Sequence, residues 1–495
     1  MVGFTRRSAG FVDASRRPVE LLITLLICAA VGSVLPSLPD VSPLTVVGAA
    51  LAIAVAVLVC RLGPRPCLLG LLIATVWGAY NYPLSLGPID VRATDVFYFG
   101  LLLWAVHLRS RGAPRPSRIG QRQIGWFFVI LAVSLVSFRS GDLLASSISL
   151  LRFIQTMSLL WLVPYAVRGS RDRIVVINVL SVTIAAELGY GLLFHSGGRF
   201  AGRNGPDVEG LLAAVLLLIA VRGATLPRVS HRVVLAVIGV LGLAQSESIG
   251  ALLAVGLVFA FAGFRDRSQV PPAWRALSSA LRAGLLVACV VIVVTSLRPE
   301  NLPGSDEFVS SSTAHRAVLA SAGLEIFERN PLFGVGWQQS SRPEVVGTPE
   351  ISEALRDRFP DVNEGFFPDV NPGTVHNAYV QVLAETGIIG AALLVNAFVS
   401  VRRRTRALAS RLDPSERAVF STVRLALVAV LIWWNDNPLF GAQPETVLAA
   451  LFIGLLASFR LPVPSTGSRQ GDVEQPLDEP VEPVVFDDLR TKDVP

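Results

Sequence analysis

One histidine and one asparagine, His376 and Asn377, stand at the threshold of a long apolar run, directly after the longest polar interval of the chain. An imidazole there is mostly neutral and basic at pH 7, with an ordinary pKa of about 6.5, and can take a proton from a substrate held at lipid headgroup level. The plainer reading is a helix cap with an interfacial histidine. Two arginine sites could supply the anion-binding groups that a lone base lacks. The first is the loop HSGGRFAGRNGPDVEG, His195 to Gly210, in which Gly197, Gly198, Gly202 and Gly205 let backbone approach a ligand while Arg199 and Arg203 offer forked donors for phosphate oxygens. Its plainer reading is a turn-rich surface loop. The second is Arg316, on a helix expected from a cap at Ser311, Ser312 or Thr313 to about Arg329, stopped by Asn330 and Pro331. Arg316 shares a face there with Leu319, Gly323 and Ile326, away from Glu325 and Glu328, so it either meets an anion or snorkels to the interface.

The elements that position these residues are read from composition. The chain has 495 residues, 52% hydrophobic and 16% charged, with a mean hydropathy of +0.57. That balance excludes a soluble globular protein and describes a polytopic membrane protein. The basic charge lies in short arginine clusters between apolar runs, which argues for membrane orientation and against nucleic acid as a partner. Cys28, Cys60, Cys67 and Cys289 lie in or beside apolar stretches without metal-ligand spacing, so neither a zinc site nor a disulfide framework is expected, and no cofactor is implied.

Apolar windows at about 19–36, 43–60, 67–82, 93–108, 123–138, 144–167, 174–194, 208–221, 233–245, 248–264, 282–297, 377–400, 418–434 and 445–459 approach the length needed to cross roughly 30 Å of hydrocarbon. About 12 to 14 transmembrane helices are expected, the first uncleaved. Arginines gather in alternate gaps, such as Arg61 with Arg65, Arg168 to Arg173, and Arg402 to Arg411. The alternation predicts cytoplasmic termini and outer gaps at 195–207, 298–376 and 435–444. The expected organisation is 1–120 and 121–297 as N-terminal and central membrane helices, 298–376 as one large outer loop with amphipathic helices, 377–460 as C-terminal membrane helices, and 461–495 as a disordered acidic tail. Arg152 with Gln155, and Glu187, are intramembrane polar groups expected to face the bundle interior and pair there.

NPLFGVGWQ at Asn330 to Gln338 and HNAYVQVLAETGIIG at His376 to Gly390 resemble the signature of the O-antigen ligase and polymerase superfamily. The pattern is an Arg-led helix (Arg316), a P-x-x-G-x-G turn (Pro331, Gly334, Gly336), H-N (His376, Asn377), a later Glu (Glu385) and G-x-x-G (Gly387, Gly390). RFAGRNGPD at Arg199 to Asp207 is similar to that family's R-x-x-G-x-x-x-P-N element, with Asp207 in place of Asn. Ser246, Glu247 and Ser248 depart from its Ser-Arg-Gly element. The resemblance covers roughly residues 120 to 460. It implies an all-α polytopic integral membrane protein of GT-C-like type in the inner (plasma) membrane of a bacterial cell. It implies a glycosyltransferase that moves a glycan from a polyprenyl (undecaprenyl) diphosphate carrier to an acceptor hydroxyl on a glycan, lipid or cell-wall component at the outer face, without a metal. In that role His376 is the base, Arg199, Arg203 and Arg316 hold the diphosphate, and Asn377, Glu385, Gly334 and Gly336 support them. Gly387 and Gly390 are read as allowing close helix packing. A lipid-linked oligosaccharide flippase or transporter is the alternative, although no internal repeat is evident.

Overall fold

A computed structural model describes residues 63–79, 84–86, 89–112, 125, 129, 143–194, 203–223, 225–226, 228–262, 279–280, 283–284, 287, 312–439 and 443–459. The expected spans at 19–36 and 43–60, most of those at 123–138 and 282–297, the acidic tail and Arg199 lie outside these residues. Every other expected window carries a helix. In order these are α1 (Pro64–Val76), α2 (Ala93–Ser110), α3 (Leu143–Met157), α4 (Leu159–Ala166), α5 (Ser170–Phe194), α6 (Pro206–Arg222), α7 (Val229–Ser246), α8 (Ile249–Ala262), α9 (Ser312–Arg329), α10 (Pro343–Val346), α11 (Pro349–Arg358), α12 (Ala378–Ala409), α13 (Pro414–Trp433) and α14 (Pro444–Ser458). A short antiparallel hairpin, β1 (Leu84–Leu86) with β2 (Ile89–Val91), pairs Ser85 with Asp90 before α2 begins. The protein is an all-α polytopic membrane protein in architecture. Among the described residues, Ser147–Ala166, Ser170–Phe194, Val229–Ser246 and Ala378–Ala409 are long and apolar enough to cross a bilayer, and Pro64–Val76, Ile249–Ala260 and Pro444–Ser458 are shorter apolar helices.

Proline opens many of these helices, at Pro64, Pro206, Pro349, Pro414 and Pro444, where its fixed φ suits the first turn and its missing N–H costs nothing. The pillar of the bundle is α6. Every residue from Val208 to Val221 is buried, because α5, α7, α8 and α13 all pack around it, and a helix apolar on all sides belongs in such a place. Its first turn carries Asp207 and Glu209, so a deeply buried element delivers carboxylates to one end of the bundle.

Residues that the arginine alternation assigns to one side of the membrane meet one another. At the expected inner end, Arg173 pairs with Glu416 and donates to the Ser458 carbonyl (3.1 Å), Arg65 pairs with Asp172, and Arg222 donates to Ser421 Oγ (2.5 Å). At the other end, Arg316 of the expected outer loop meets Asp207 and Asp436 from the two other outer gaps.

The expected outer loop has a small core of its own. Ala314, Val318, Ala322 and Ile326 of α9 pack on Val346, Ile351, Leu355 and Phe367. This row is not the one that carries Arg316: Leu319 and Gly323, on the arginine's own side, face Gly373, Val375 and Val380 at the approach to α12.

Candidate active site

His376 occupies the last step before α12. Val375 and Ala378 on either side are buried, so the histidine cannot swing freely, and it is itself half-buried. Asn377 caps the helix: its Oδ1 accepts from the amides of Tyr379 (3.0 Å) and Val380 (3.1 Å). The same side chain donates through Nδ2 to the carbonyl (2.9 Å) and Oδ1 (3.1 Å) of Asn435. The Ala378 amide donates to the Trp434 carbonyl (2.9 Å) and the Tyr379 hydroxyl to the Leu431 carbonyl (2.6 Å). Cap and orienting anchor are therefore one residue, which joins the start of α12 to the end of α13.

Arg316 bridges two carboxylates. Its Nη1 donates to both oxygens of Asp436 at 2.8 Å, and its Nη2 to Asp207 Oδ2 at 3.1 Å. The planar fork can serve two acceptors at once where a lysine ammonium could not hold the same geometry. Burial lowers the pKa of His376, the charges of Arg316 and His315 lower it further, and Asp207 opposes them. His315 is stacked on Phe366 with ring centroids 5.0 Å apart, and burial, then Arg316, lowers its pKa as well. Nδ1 of His376 and Nε2 of His315 are buried with no hydrogen-bond partner among the described residues. The cluster thus combines a fixed guanidinium with an imidazole kept neutral and basic.

An apolar groove of about 490 Å³ shares Asp436 with this cluster. Leu253 and Leu257 of α8 and Val428 and Leu431 of α13 line its length, and Tyr379, Asn435 and Asp436 form its polar end.

The turn after α9 and the glycines of α12 form a second construction. α12 is not continuous: Gly387 has φ 63° and ψ −169° inside it, and the turn 331–336 lies against the break. The amides of Val335 and Gly336 donate to the carbonyls of Ala384 (3.0 Å) and Glu385 (2.9 Å), and the Ile388 amide donates to the Pro331 carbonyl (2.8 Å). A Cβ on Gly387 would lie 2.2 Å from the Leu332 carbonyl oxygen, and one on Gly334 would lie 2.3 Å from the Glu385 backbone carbon. The expectation that Gly387 allows helix–helix packing is therefore corrected. It opens the helix so that a strap of backbone can take over the freed hydrogen bonds, and Gly390 faces Thr386 of its own helix.

Glu385 ties this strap down. Its Oε1 accepts from Ser340 Oγ (2.6 Å) and Gln381 Nε2 (3.2 Å) in a fully buried setting, while Gln381 Oε1 accepts from the Leu439 amide (2.7 Å). Trp337 closes the far side, on Phe153 (centroids 4.5 Å apart) and donating to Ser149 Oγ (3.2 Å).

Arg203 lies in the turn before α6, its guanidinium over the rings of Trp77 (4.8 Å) and Tyr190 (4.6 Å). Of the residues expected to pair within the membrane, Gln155 donates to Asp95 Oδ1 (2.8 Å), and Glu187 meets the Arg203 amide and Glu209. Asp436, His315 and Glu209 were not singled out from the sequence. Asp436 had a signal, as a charged residue in a short gap between two apolar runs; the other two become visible only through contacts far along the chain.

A family model described as O-antigen ligase matches residues 232–395, about a third of the chain, and no curated protein matches it. The matched stretch runs from α7 into α12 and includes Arg316, the strap and His376. The match supports the O-antigen ligase and polymerase superfamily and suggests glycan transfer of ligase or polymerase type.

Proposed function

We propose that the protein moves a glycan from a polyprenyl-diphosphate carrier to an acceptor hydroxyl at the outer face of a bacterial inner membrane, with both termini in the cytoplasm. The observation that carries this reading is Arg316, whose charge is felt by His376, bound to Asp436 at the polar end of an apolar groove. A lipid-linked diphosphate sugar needs those three things together: an apolar channel for its chain, fixed positive charge for its leaving group, and a base beside the sugar.

The acceptor hydroxyl gives its proton to His376 as its oxygen attacks the anomeric carbon, and the bond from that carbon to the diphosphate oxygen breaks. Charge grows on the departing diphosphate, where Arg316 and Arg203, with Arg199, stabilise it without a metal ion. Before donor binds, Arg316 is shared between Asp207 and Asp436, so the diphosphate exchanges with carboxylate on a guanidinium that is already oriented. Asn377 holds His376 in place, and Glu385, Gly334 and Gly336 hold the strap beneath it. The outer region 298–376 supplies the base and one arginine, and the helices of 121–297 and 377–460 supply the groove and the two aspartates.

The test is a deletion strain complemented with variants. Lipid-linked glycan is expected to accumulate in the deletion and with Arg316→Ala or His376→Ala, while wild type clears it. Full clearance by a membrane-inserted His376→Ala protein would refute the assignment.

A further inference from the structure

Two fully buried carboxyl groups face each other where α5 and α6 meet. Glu187 and Glu209 are each 0% exposed and lie within hydrogen-bonding reach of one another. One oxygen of each is committed to the turn that carries Arg203. Glu187 Oε1 accepts from the Arg203 amide (3.0 Å), and Glu209 Oε1 accepts from Asn204 Nδ2 (3.1 Å) and the Asn204 amide (3.4 Å). Asn204 Nδ2 also reaches the Val76 carbonyl (2.7 Å), which ties the turn to α1. The second oxygen of each, Oε2, is buried with no donor among the described residues.

Carboxylates only accept. Two of them within reach of each other, shielded from water, cannot both remain ionised, and neither can supply the missing donor. One proton resolves both difficulties: it removes the repulsion and becomes the donor between the two groups. The backbone amides and Asn204, with the charge of Arg203 close by, stabilise the single remaining negative charge.

We propose that Glu187 and Glu209 share one proton, and that this acid–carboxylate pair is the clamp that fixes the Arg203–Gly205 turn and so positions the Arg203 guanidinium over Trp77 and Tyr190. The two glutamates are positioning residues that act through Arg203. The protonation holds whatever the protein does; the consequence for activity rests on the transfer reading above.

Infrared difference spectra of the full chain in lipid nanodiscs at neutral pH test the proton. Subtracting each variant from wild type cancels other buried carboxyl groups, such as Glu385 and Glu445. Glu187→Gln, Glu209→Gln and the double variant are each expected to lose the same single protonated-carboxyl band. No loss in any of them means that both groups are ionised, twice the loss in the double variant means that both are protonated, and either result overturns the proposal. So does a wild-type band that disappears on adding sodium ions, since a cation would then be the bridge.

Transfer kinetics test the clamp. Glu209→Ala is expected to raise KM for the lipid-linked donor about tenfold with little change in kcat, while Glu209→Gln, which keeps a donor group beside the remaining carboxylate, stays close to wild type. Arg203→Ala added to Glu209→Ala should cost nothing further, because both remove one interaction. Equal loss in Gln and Ala variants, a fall in kcat alone, or full additivity with Arg203→Ala refutes the positioning role. A wild-type protein without transfer activity refutes the transfer reading and leaves the infrared result standing.

Discussion

His376 is held where a histidine loses its charge easily. Burial first, then Arg316 and His315, lower its pKa, so the neutral base persists to more acid pH than for a free imidazole. The sign follows directly: activity that needs neutral His376 is retained down to pH 6.5 and falls only below it, with an acid limb under the ordinary value of about 6.5. A pH–rate profile of kcat/KM checks this, and an acid limb above that value would contradict it. The same depression on His315 and His376 favours the fold at pH above the unfolded value and withdraws that contribution as pH falls through the folded values. Arg316 makes a different prediction. Because its fork serves Asp207 and Asp436 together, Arg316→Lys is expected to raise donor KM about tenfold although the charge is kept. His376 and Arg316 were legible in the sequence because each broke a local pattern, one a polar group at the edge of an apolar run and the other an arginine on an apolar stripe. Asp436, which binds Arg316 across 120 residues of chain, broke none strongly enough.

At the scale of elements, the strap and the broken helix explain each other. A helix interrupted at Gly387 leaves carbonyls and amides without partners, and the turn 331–336 supplies them. A P-x-x-G-x-G turn and a G-x-x-G step are thus two halves of one joint. Gly387→Ala is expected to lower the melting temperature. An L-residue at φ 63° and ψ −169°, a conformation nearly reserved for glycine, costs of order 1–3 kcal/mol, and its Cβ would meet the Leu332 carbonyl as well. Thermal unfolding in detergent checks it, and an unchanged midpoint would mean that the helix closes over the break. This joint was not readable beforehand, because small residues three apart signal close packing equally well. Cap and start signals were readable: Asn377 caps α12, and α9 begins at Ser312 and ends before Asn330 as its polar and proline punctuation requires.

At the scale of the molecule, ion pairs gather at two opposite sets of gaps, and the arginine pattern assigns those sets to opposite sides of a membrane. That the described apolar windows form helices was legible from hydropathy, because bilayer thickness acts on every span alike. Which helix would stand at the centre was not legible, since α8 and α14 are more apolar than α6, which is placed there by packing. In a cysteine-free background, a cysteine at exposed Asn363 should react with an impermeant thiol reagent on intact inverted-free cells, and one at exposed Arg403 only after permeabilisation; the reverse pattern would turn the site to the inside. The most direct test of the central claim is single-turnover transfer by the purified full chain in nanodiscs loaded with lipid-linked glycan and acceptor. Wild type should convert donor, and His376→Gln should bind it as tightly yet transfer it roughly 10² to 10⁴ times more slowly. Transfer by His376→Gln at the wild-type rate would contradict the account.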